Sequence, residues 1–386
     1  MVAEKESCRL FEHISDVDIS EQDIWDYEPE VLHKLLIDHT MSARVRAETK
    51  DPSKFANIFW ATSDYEAQRE GKGKKGFCYD DQIMPEKIIG VNGRVIMPRV
   101  LKDKQLQIDR TKDKAEVFTP SWVCNAQNNL IDEAWFGRKN VFNREVVKED
   151  GSHSWVPVKG KIKFPENDPQ KTWKKYVTEN RLEVSCGEAP YLVSRYDTTT
   201  GESIPLHKRI GLLDRKLRVV GENTCDSGEW LEWARRAFMH TYGYEWQGDN
   251  LLLAREALLY TFIEYFKDKF PEETLKKPSI IGIARIISWN LWQMDGIKMV
   301  VPNSCEKQFE TDLFGDTRPC VCSACEEGLA LGHIGYRCLI RDWGKVKKPE
   351  GYKFKPGEDP LSKPWQKIEF QSLLQSRNRN EDEEDE

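Results

Sequence analysis

Between Arg181 and about Met299, short apolar runs typical of strands alternate with longer segments whose apolar residues recur at helical spacing. The clearest pair is a run that ends at Tyr244-Glu245 and the amphipathic stretch that follows it as far as residue 266. Such alternation indicates a parallel sheet whose strands are joined by crossover helices. The pattern therefore predicts an α/β fold for this part of the chain.

The first predicted strand ends in "RLEVSCGEAP" (181–190), where a Cys-Gly pair follows the apolar run. Glycine lets the backbone approach a ligand closely, and a helix predicted to begin near Pro190 would supply unpaired N–H groups. In open α/β sheets ligands bind beyond the carboxyl ends of the strands. The segment is either an ordinary structural turn or a cofactor loop, and the motif alone does not separate the two.

Polar residues also follow the next two predicted strands. Glu245 lies at the tip of the second, where a carboxylate can accept two hydrogen bonds from ribose hydroxyls. Gln293 and Asp295 come at the end of the third apolar run and could bind a base edge. Upstream, Thr119-Pro120 opens a predicted helix that could cover the same site.

The remaining pattern suggests four regions. Residues 1–110 form a predicted N-terminal α+β region with a helix at 28–45, strand-like pieces such as 55–63, and a hairpin over 90–98 around Asn92-Gly93. Residues 111–300 form the cofactor-binding domain, in which the polar interval 148–175 is an inserted loop or hairpin. A Cys-rich segment follows at 301–346, and 347–386 is an extension with a disordered acidic tail.

Charge and hydropathy limit the kinds of partner and the location that the sequence predicts. The 386-residue chain carries a net charge of −7, but its last six residues are all acidic, so the body is close to neutral. The basic stretches 71–75 and 207–218 are either phosphate-binding patches or ordinary solvated surface. No apolar run is long enough to span a bilayer and the first residues are charged, which predicts a cytoplasmic protein without membrane contact.

Half of the ten cysteines fall between residues 305 and 338. Cys320, Cys322, Cys325 and Cys338 give four thiolates over a short loop, the kind of arrangement that closes a tetrahedral, structural zinc site. Cys305 or His333 could replace one ligand. Two alternatives stay open at this point, namely reduced cysteines in an irregular loop and a redox pair.

Four segments in order, "AEVFTP" (115–120), "LEVSCGEAPYL" (182–192), "YGYEWQGDNLLLAREAL" (242–258) and "NLWQMDGI" (290–297), resemble the motifs of S-adenosylmethionine-dependent, adenine-specific DNA methyltransferases, in particular modification subunits of restriction systems. The resemblance implies a Rossmann-like methyltransferase sheet and double-stranded DNA as the substrate. It implies that Glu245 binds the cofactor ribose, that Gln293 and Asp295 lie at its adenine, and that the remaining contacts come from Phe118, Thr119, Pro120, Glu183, Cys186, Gly187 and Glu188.

The sequence departs from that family in three ways. Ala189-Pro190 replaces the second glycine of the cofactor loop, and 198–220 is longer than a minimal connection, which suggests an insertion facing DNA or a partner. The catalytic Asn/Asp-Pro-Pro-Tyr/Phe tetrapeptide is absent from the sequence. A second subunit could carry it, or a restriction or specificity subunit could be the partner. The alternatives are a non-catalytic cofactor- or DNA-binding subunit, an inactive methyltransferase relative and, more distantly, a nuclease, for which no convincing magnesium-binding set is present.

Overall fold

The computed structural model describes residues 17–66, 77–102, 107, 119–311, 315–344 and 366–373. These residues form a mixture of helices and small sheets. The α-helices are α1 Glu21–Tyr27, α2 Pro29–Leu36, α3 His39–Thr49, α4 Ser121–Phe136, α5 Trp173–Val177, α6 Leu212–Asn223, α7 Ser227–Met239, α8 Gly248–Lys269, α9 Lys277–Asn290 and α10 Ser323–Glu326. The strands are β1 Ile37–Asp38, β2 Ala56–Asn57, β3 Asn143–Val147, β4 His153–Pro157, β5 Arg181–Glu183, β6 Thr241–Glu245, β7 Leu291–Gln293, β8 Phe309–Thr311, β9 Thr317–Pro319, β10 Leu339–Arg341 and β11 Lys367–Glu369.

A three-stranded parallel sheet lies at the centre, in the order β5-β6-β7. Helices α6 and α7 connect β5 to β6, and α8 and α9 connect β6 to β7. The predicted alternation of strands and crossover helices is therefore confirmed. The sheet is small, and the other sheets of the described residues are two-stranded and antiparallel.

Helix α8 lies in the hydrophobic core of the fold. It follows the polar turn after β6 and is buried around most of its circumference from Gly248 to Ile263, although its sequence pattern is amphipathic. The guanidinium of Arg255, in the middle of this helix, donates hydrogen bonds to the carbonyl oxygens of Leu35, Ile37 and Leu291. The N-terminal region therefore packs into the same hydrophobic core as the sheet.

The connection after β5 differs from the prediction. No helix begins near Pro190, and the first of the two crossover helices, α6, begins at Leu212 inside the segment interpreted as an insertion. Asp214 fixes this start, because its Oδ2 accepts hydrogen bonds from the backbone N–H groups of Ser194 and Gly211 at 2.8 and 3.1 Å. The two N–H groups thus find a side-chain partner at the beginning of α6.

The interpretation of residues 207–218 as a phosphate-binding patch or solvated surface is wrong for its central residues. Arg215 and Lys216 are buried. Arg215 forms an ion pair with Asp132 at 2.5 Å, and the Lys216 ammonium donates to the carbonyl oxygens of Glu179 and His240 at 2.6 and 2.7 Å. These charges stabilise the packing of α6 and are not accessible to a ligand. The second basic stretch, 71–75, lies outside the described residues.

Two N-terminal predictions also change. The helix predicted at 28–45 is interrupted at β1, because the Asp38 side chain accepts from the N–H groups of Thr40 and Met41 and caps a new helix. The hairpin predicted at 90–98 is absent, and Gly90 to Asn92 form a single 3₁₀ turn. The polar interval 148–175, predicted as an inserted loop or hairpin, includes the turn and the second strand of a hairpin, β3-β4, whose first strand lies before the interval and begins at Asn143.

Within the described part of the chain, the β5 side of the central sheet has no neighbouring strand. On one face, the hairpin β10-β11 packs over β6 and β7, with Ile340, Ile368 and Phe370 against Tyr242 and Trp292. That cover does not reach β5, where the side chains of Leu182 and Val184 are 42% and 62% exposed. Among the described residues β5 pairs only with β6, so its other edge has no strand partner. No helix of the described part of the chain is long and apolar enough to cross a bilayer.

Candidate functional site

The carboxyl ends of β5, β6 and β7 bring together residues predicted from three separate motifs. Glu245 and Gln293 are directly paired across β6 and β7. The ladder between β5 and β6 continues past the named strand, because the Cys186 N–H donates to the Tyr244 carbonyl at 2.8 Å. The Gly187 N–H then donates to Glu245 Oε2 at 2.8 Å. The loop after β5 therefore lies against the acid at the tip of β6.

The loop between β5 and Pro190 has an unusual backbone. Ser185, Gly187 and Ala189 have φ values of 48°, 52° and 61°, in the left-handed region. This conformation costs residues other than glycine about 1–2 kcal/mol each. Strained backbone of this kind persists where surrounding contacts fix it, and it is frequent in ligand-binding loops. The predicted Cys-Gly turn is thus a tight, contact-determined loop.

Two buried carboxylates hold this loop in place. Glu183 accepts hydrogen bonds from the N–H groups of Tyr191 and Leu192 at 3.3 and 3.1 Å, and Glu245 accepts from Gly187 and Gln247. Burial raises the pKa of both carboxyl groups, and the backbone N–H groups act in the opposite direction. The charge of Glu245 raises the pKa of Glu183 further. The backbone of the loop therefore depends on two acids at adjacent strand ends.

The Cys186 thiol is part of the packing in this loop. It is buried and lies close to Gly243 of β6, where an added Cβ would be 3.3 Å from Cys186 Sγ. Burial raises the pKa of the thiol well above its usual range, and the charges of Glu183 and Glu245 add to the effect. A thiol that remains protonated is a poor nucleophile. The position does not support covalent chemistry at Cys186.

Glu188 points to the N-terminal region. Its Oε1 accepts a hydrogen bond from the Arg99 N–H at 2.7 Å and its Oε2 accepts one from the Tyr196 hydroxyl at 2.5 Å. Through Arg99, this carboxylate joins the loop after β5 to the N-terminal region. Its predicted contact with a cofactor stays a prediction.

The predicted Thr119-Pro120 segment opens α4 as expected. Thr119 accepts a hydrogen bond from the Thr198 hydroxyl at 3.2 Å, and its side chain contacts that of Tyr191, which follows the strained loop. The side-chain amide of Asn128, two turns into α4, donates to the Tyr191 carbonyl at 3.0 Å. Helix α4 therefore lies beside the loop. Phe118, the other residue of this motif, lies outside the described residues.

Gln293 makes a contact that the sequence did not suggest. Its amide donates to the carbonyl oxygens of Phe59 and Trp246 at 2.8 Å each and accepts from the Phe59 N–H at 3.1 Å. The Gly248 N–H also donates to the Trp60 carbonyl at 3.0 Å. The segment 58–61 therefore crosses the carboxyl end of the sheet. With three bonds formed, the Gln293 amide has one lone pair left, and its assignment to an adenine stays a prediction.

The one sequence signal for this crossing is Gly248. An added Cβ at this position would lie 2.1 Å from the Phe59 carbonyl oxygen, so only glycine permits the approach. We did not predict this role, because a glycine at the start of a helix is also common in ordinary turns.

A second cluster lies beyond β7. Cys305, Cys322, Cys325 and His333 place three sulfur atoms and one ring nitrogen within 4.8 Å of one another. His333 Nδ1 is 3.9, 3.6 and 3.4 Å from the sulfur atoms of Cys305, Cys322 and Cys325. Ligand atoms of a tetrahedral zinc ion, at about 2.0–2.3 Å from the metal, are about 3.5–3.8 Å apart. The group could therefore hold a metal ion with little rearrangement.

Of the metal ligands predicted from spacing, the structure brings Cys322 and Cys325 into this cluster. Cys320 is not a member, since its N–H donates to the Gln308 carbonyl at 2.8 Å and extends the β8-β9 hairpin. Cys338 lies in the aromatic core beside the sheet, with its thiol 3.5 Å from the Gln293 carbonyl. Cys305 and His333 complete the cluster in place of Cys320 and Cys338. The sequence had suggested that Cys305 or His333 could replace one of the four predicted ligands, and the structure shows both in the cluster.

The surroundings of the cluster suit metal binding. The other ring nitrogen of His333, Nε2, is 2.7 Å from the Leu329 carbonyl, which fixes the ring and leaves Nδ1 as the ligand atom. Burial acts to raise the pKa of Cys322, but the N–H groups of Ile334 and Cys325 and the His333 ring lower it to about 6. Burial raises the pKa of Cys305 to about 12. A bound cation would favour the thiolate form at all three cysteines.

The chain matches no protein-family model, no curated protein and no solved structure. A functional assignment therefore depends on the geometry of the strand ends and of the cysteine-histidine cluster.

Proposed function

We propose that this chain binds S-adenosylmethionine at the carboxyl ends of β5, β6 and β7 and acts as an adenine-specific DNA methyltransferase or as the modification subunit of a restriction system. Double-stranded DNA is the proposed substrate and the cytoplasm the proposed location. In this proposal the sheet is the cofactor-binding half of a Rossmann-like domain, and Glu245 binds the ribose.

One observation carries the proposal. Three motifs that are far apart in the chain end on adjacent parallel strands, and the loop after β5 contacts the acid at the tip of β6 through the 2.8 Å bond between Gly187 and Glu245. Ligands of open α/β sheets bind at this edge. The left-handed residues of the loop agree with a role in binding, because such strain is frequent at ligand sites.

Zinc is the metal that we propose for the cysteine-histidine cluster. Three thiolates and one imidazole are soft and borderline ligands, which favour zinc over magnesium or calcium. All four coordination positions come from the chain, so the role would be structural. Metal analysis of the purified protein should find one zinc ion per chain. Cys322→Ala should abolish it, whereas Cys320→Ala, at a cysteine outside the cluster, should retain it.

A second polypeptide is the proposed source of the missing catalytic tetrapeptide. The open edge of β5, with the exposed side chains of Leu182 and Val184, supports this part of the proposal. Parallel strands are normally buried on both faces and flanked by neighbours. A strand added at this edge would lie next to the cofactor loop.

Isothermal titration calorimetry of the zinc-containing full chain with S-adenosylmethionine tests the cofactor site. We expect saturable binding that weakens by about tenfold or more in Glu245→Gln, since one tenfold step corresponds to about 1.4 kcal/mol. The matched control is Glu273→Gln at an exposed acid, which should bind like the wild type. Absence of binding by the folded, zinc-containing wild type would contradict the proposal.

The alternative function is a non-catalytic subunit that binds cofactor or DNA. The absent tetrapeptide is the observation that favours it. Transfer of a labelled methyl group to DNA separates the two functions. Cofactor binding without transfer, both alone and with candidate partner chains, would favour the non-catalytic subunit, and transfer in either condition would favour the enzyme.

A further inference from the structure

The turn that follows β7 is closed by Asp295. Its Oδ1 accepts hydrogen bonds from the N–H groups of Ile297 and Lys298 at 2.9 and 3.0 Å. Its own backbone N–H donates to the Val300 carbonyl at 2.8 Å, and its carbonyl accepts from the Met299 N–H at 2.7 Å. Asp295 is buried, so the position of its carboxylate is set by the residues of this turn.

The same turn forms one wall of the cysteine-histidine cluster. The side chain of Val300 packs against Cys305, Cys322 and Ala324 in a small, separate hydrophobic cluster. The Lys298 side chain lies near Cys325, and against the lowering effect of burial this neighbour acts to raise the pKa of the ammonium. Two residues of the turn, Lys298 and Val300, are thus close to potential metal ligands.

A third connection comes from the chain after His333. Val300 forms a β-bridge with Arg337, and the Val301 N–H donates to the Tyr336 carbonyl at 2.9 Å. Gly335, just before this pair, approaches so closely that an added Cβ would lie 2.9 Å from Val300 and 3.0 Å from Cys305 Sγ. Any movement of the His333 segment would therefore be transmitted to Val300.

Among the described residues, there is little regular secondary structure around the four ligands. The four ligands come from three stretches of chain. The nearby regular structure is a single-turn helix, α10, and a hairpin, β8-β9, whose strands have three residues each. A bound ion would cross-link all three stretches with four coordinate bonds, and binding energy of this kind becomes local folding energy.

We propose that the metal held by Cys305, Cys322, Cys325 and His333 positions Asp295 by fixing the turn 295–300. The metal centre is then a positioning element of the strand-end site and not an independent stabilising module. The presence of a metal and the identity of the ligand at the strand-end site both rest on the proposed function.

Hydrogen-deuterium exchange of the full chain, zinc-loaded and after chelation, tests this coupling without any cofactor. The Ile297, Lys298 and Met299 amides should exchange at least about tenfold faster after metal removal, whereas the middle of α8 should keep its protection. Cys322→Ala should reproduce the effect, and Cys320→Ala, in the same loop but outside the cluster, should not.

Two outcomes would overturn the inference. Unchanged exchange in the turn after metal loss would mean that Asp295 is held independently of the cluster. Loss of protection across α8 as well would mean that the metal supports the whole fold.

A parallel titration with S-adenosylmethionine keeps the two proposals separate. Weaker binding after chelation, together with a deprotected turn, supports both. A deprotected turn in a chain that never binds the cofactor would leave the coupling intact and remove the proposed function.

Discussion

Replacing Gln293 with leucine tests whether the segment 58–61 is held over the strand ends by this one amide. Leucine has nearly the same volume, so the change removes hydrogen bonds without opening a large cavity. The Phe59 N–H, the Phe59 carbonyl and the Trp246 carbonyl would each lose their contact with the Gln293 side chain. The environment is buried, so water does not readily replace the lost partner.

The magnitude follows from counting these groups. A hydrogen bond contributes about 0.5–1.5 kcal/mol net, and a buried polar group left without a partner costs about 1–3 kcal/mol. Three polar groups left without this partner therefore give an expected loss of about 3–9 kcal/mol in the free energy of unfolding. A matched control is Gln82→Leu, because Gln82 accepts a single, exposed hydrogen bond from Asn57 in a neighbouring part of the same region. That change should cost less than about 1 kcal/mol.

Urea-induced unfolding of the zinc-containing full chain, followed by tryptophan fluorescence, gives both values from the shift of the midpoint at constant slope. The reasoning would be refuted if Gln293→Leu cost no more than Gln82→Leu. A lower slope in the Gln293 variant would instead show that the segment 58–61 has already detached in its native state.

Two further substitutions test the packing around α8. Glu256 is fully buried and, among the described residues, neither of its carboxylate oxygens has a hydrogen-bond partner. Burial raises its pKa well above the usual range, and Glu21 and Asp18 add to the effect. The folded protein therefore holds this proton to higher pH than the unfolded chain, so stability should fall as pH rises above the unfolded pKa of about 4.3. Glu256→Gln should lose this fall and be more stable than the wild type at pH 8. The assignment would be contradicted if the free energy of unfolding, measured with urea, changed equally between pH 5 and pH 8 in the two proteins. Gly248→Ala would place a Cβ 2.1 Å from the Phe59 carbonyl oxygen and should lower the free energy of unfolding by about 1–3 kcal/mol in the same assay. Gly282→Ala is the control in α9, where an added Cβ has nothing within 4 Å, and it should stabilise the protein by about 0.5–1 kcal/mol. The steric explanation fails if the two changes have the same sign.

The central strands were predictable because local pattern determines them. Apolar runs bounded by polar residues placed β5, β6 and β7, and the same pattern placed Glu245 at a strand tip. The connection after β5 was not predictable in this way. Proline at a first helical position suits a helix, but Glu183 takes the N–H groups of Tyr191 and Leu192 and stabilises a non-helical turn instead.

Long-range contacts explain the other differences. Gln293 and Phe59 are separated by 234 residues, and no periodicity in either segment signals their contact. Similarly, cysteine spacing identified Cys322 and Cys325, which are adjacent in one loop. It could not show that a β-hairpin holds Cys320 away from the cluster or that the packing of Gly335 brings Cys305 close to His333.

The buried Arg255 has a consequence for synthesis of the chain. Its guanidinium joins the Leu35 carbonyl across 220 residues and the Leu291 carbonyl across 36. Helix α2 therefore leaves the ribosome long before Arg255 has been synthesised. At about 5–20 residues per second, the delay is roughly 10–40 s. During this interval the apolar face of α2 has no native cover from α8, which makes it a candidate binding site for chaperones on the nascent chain.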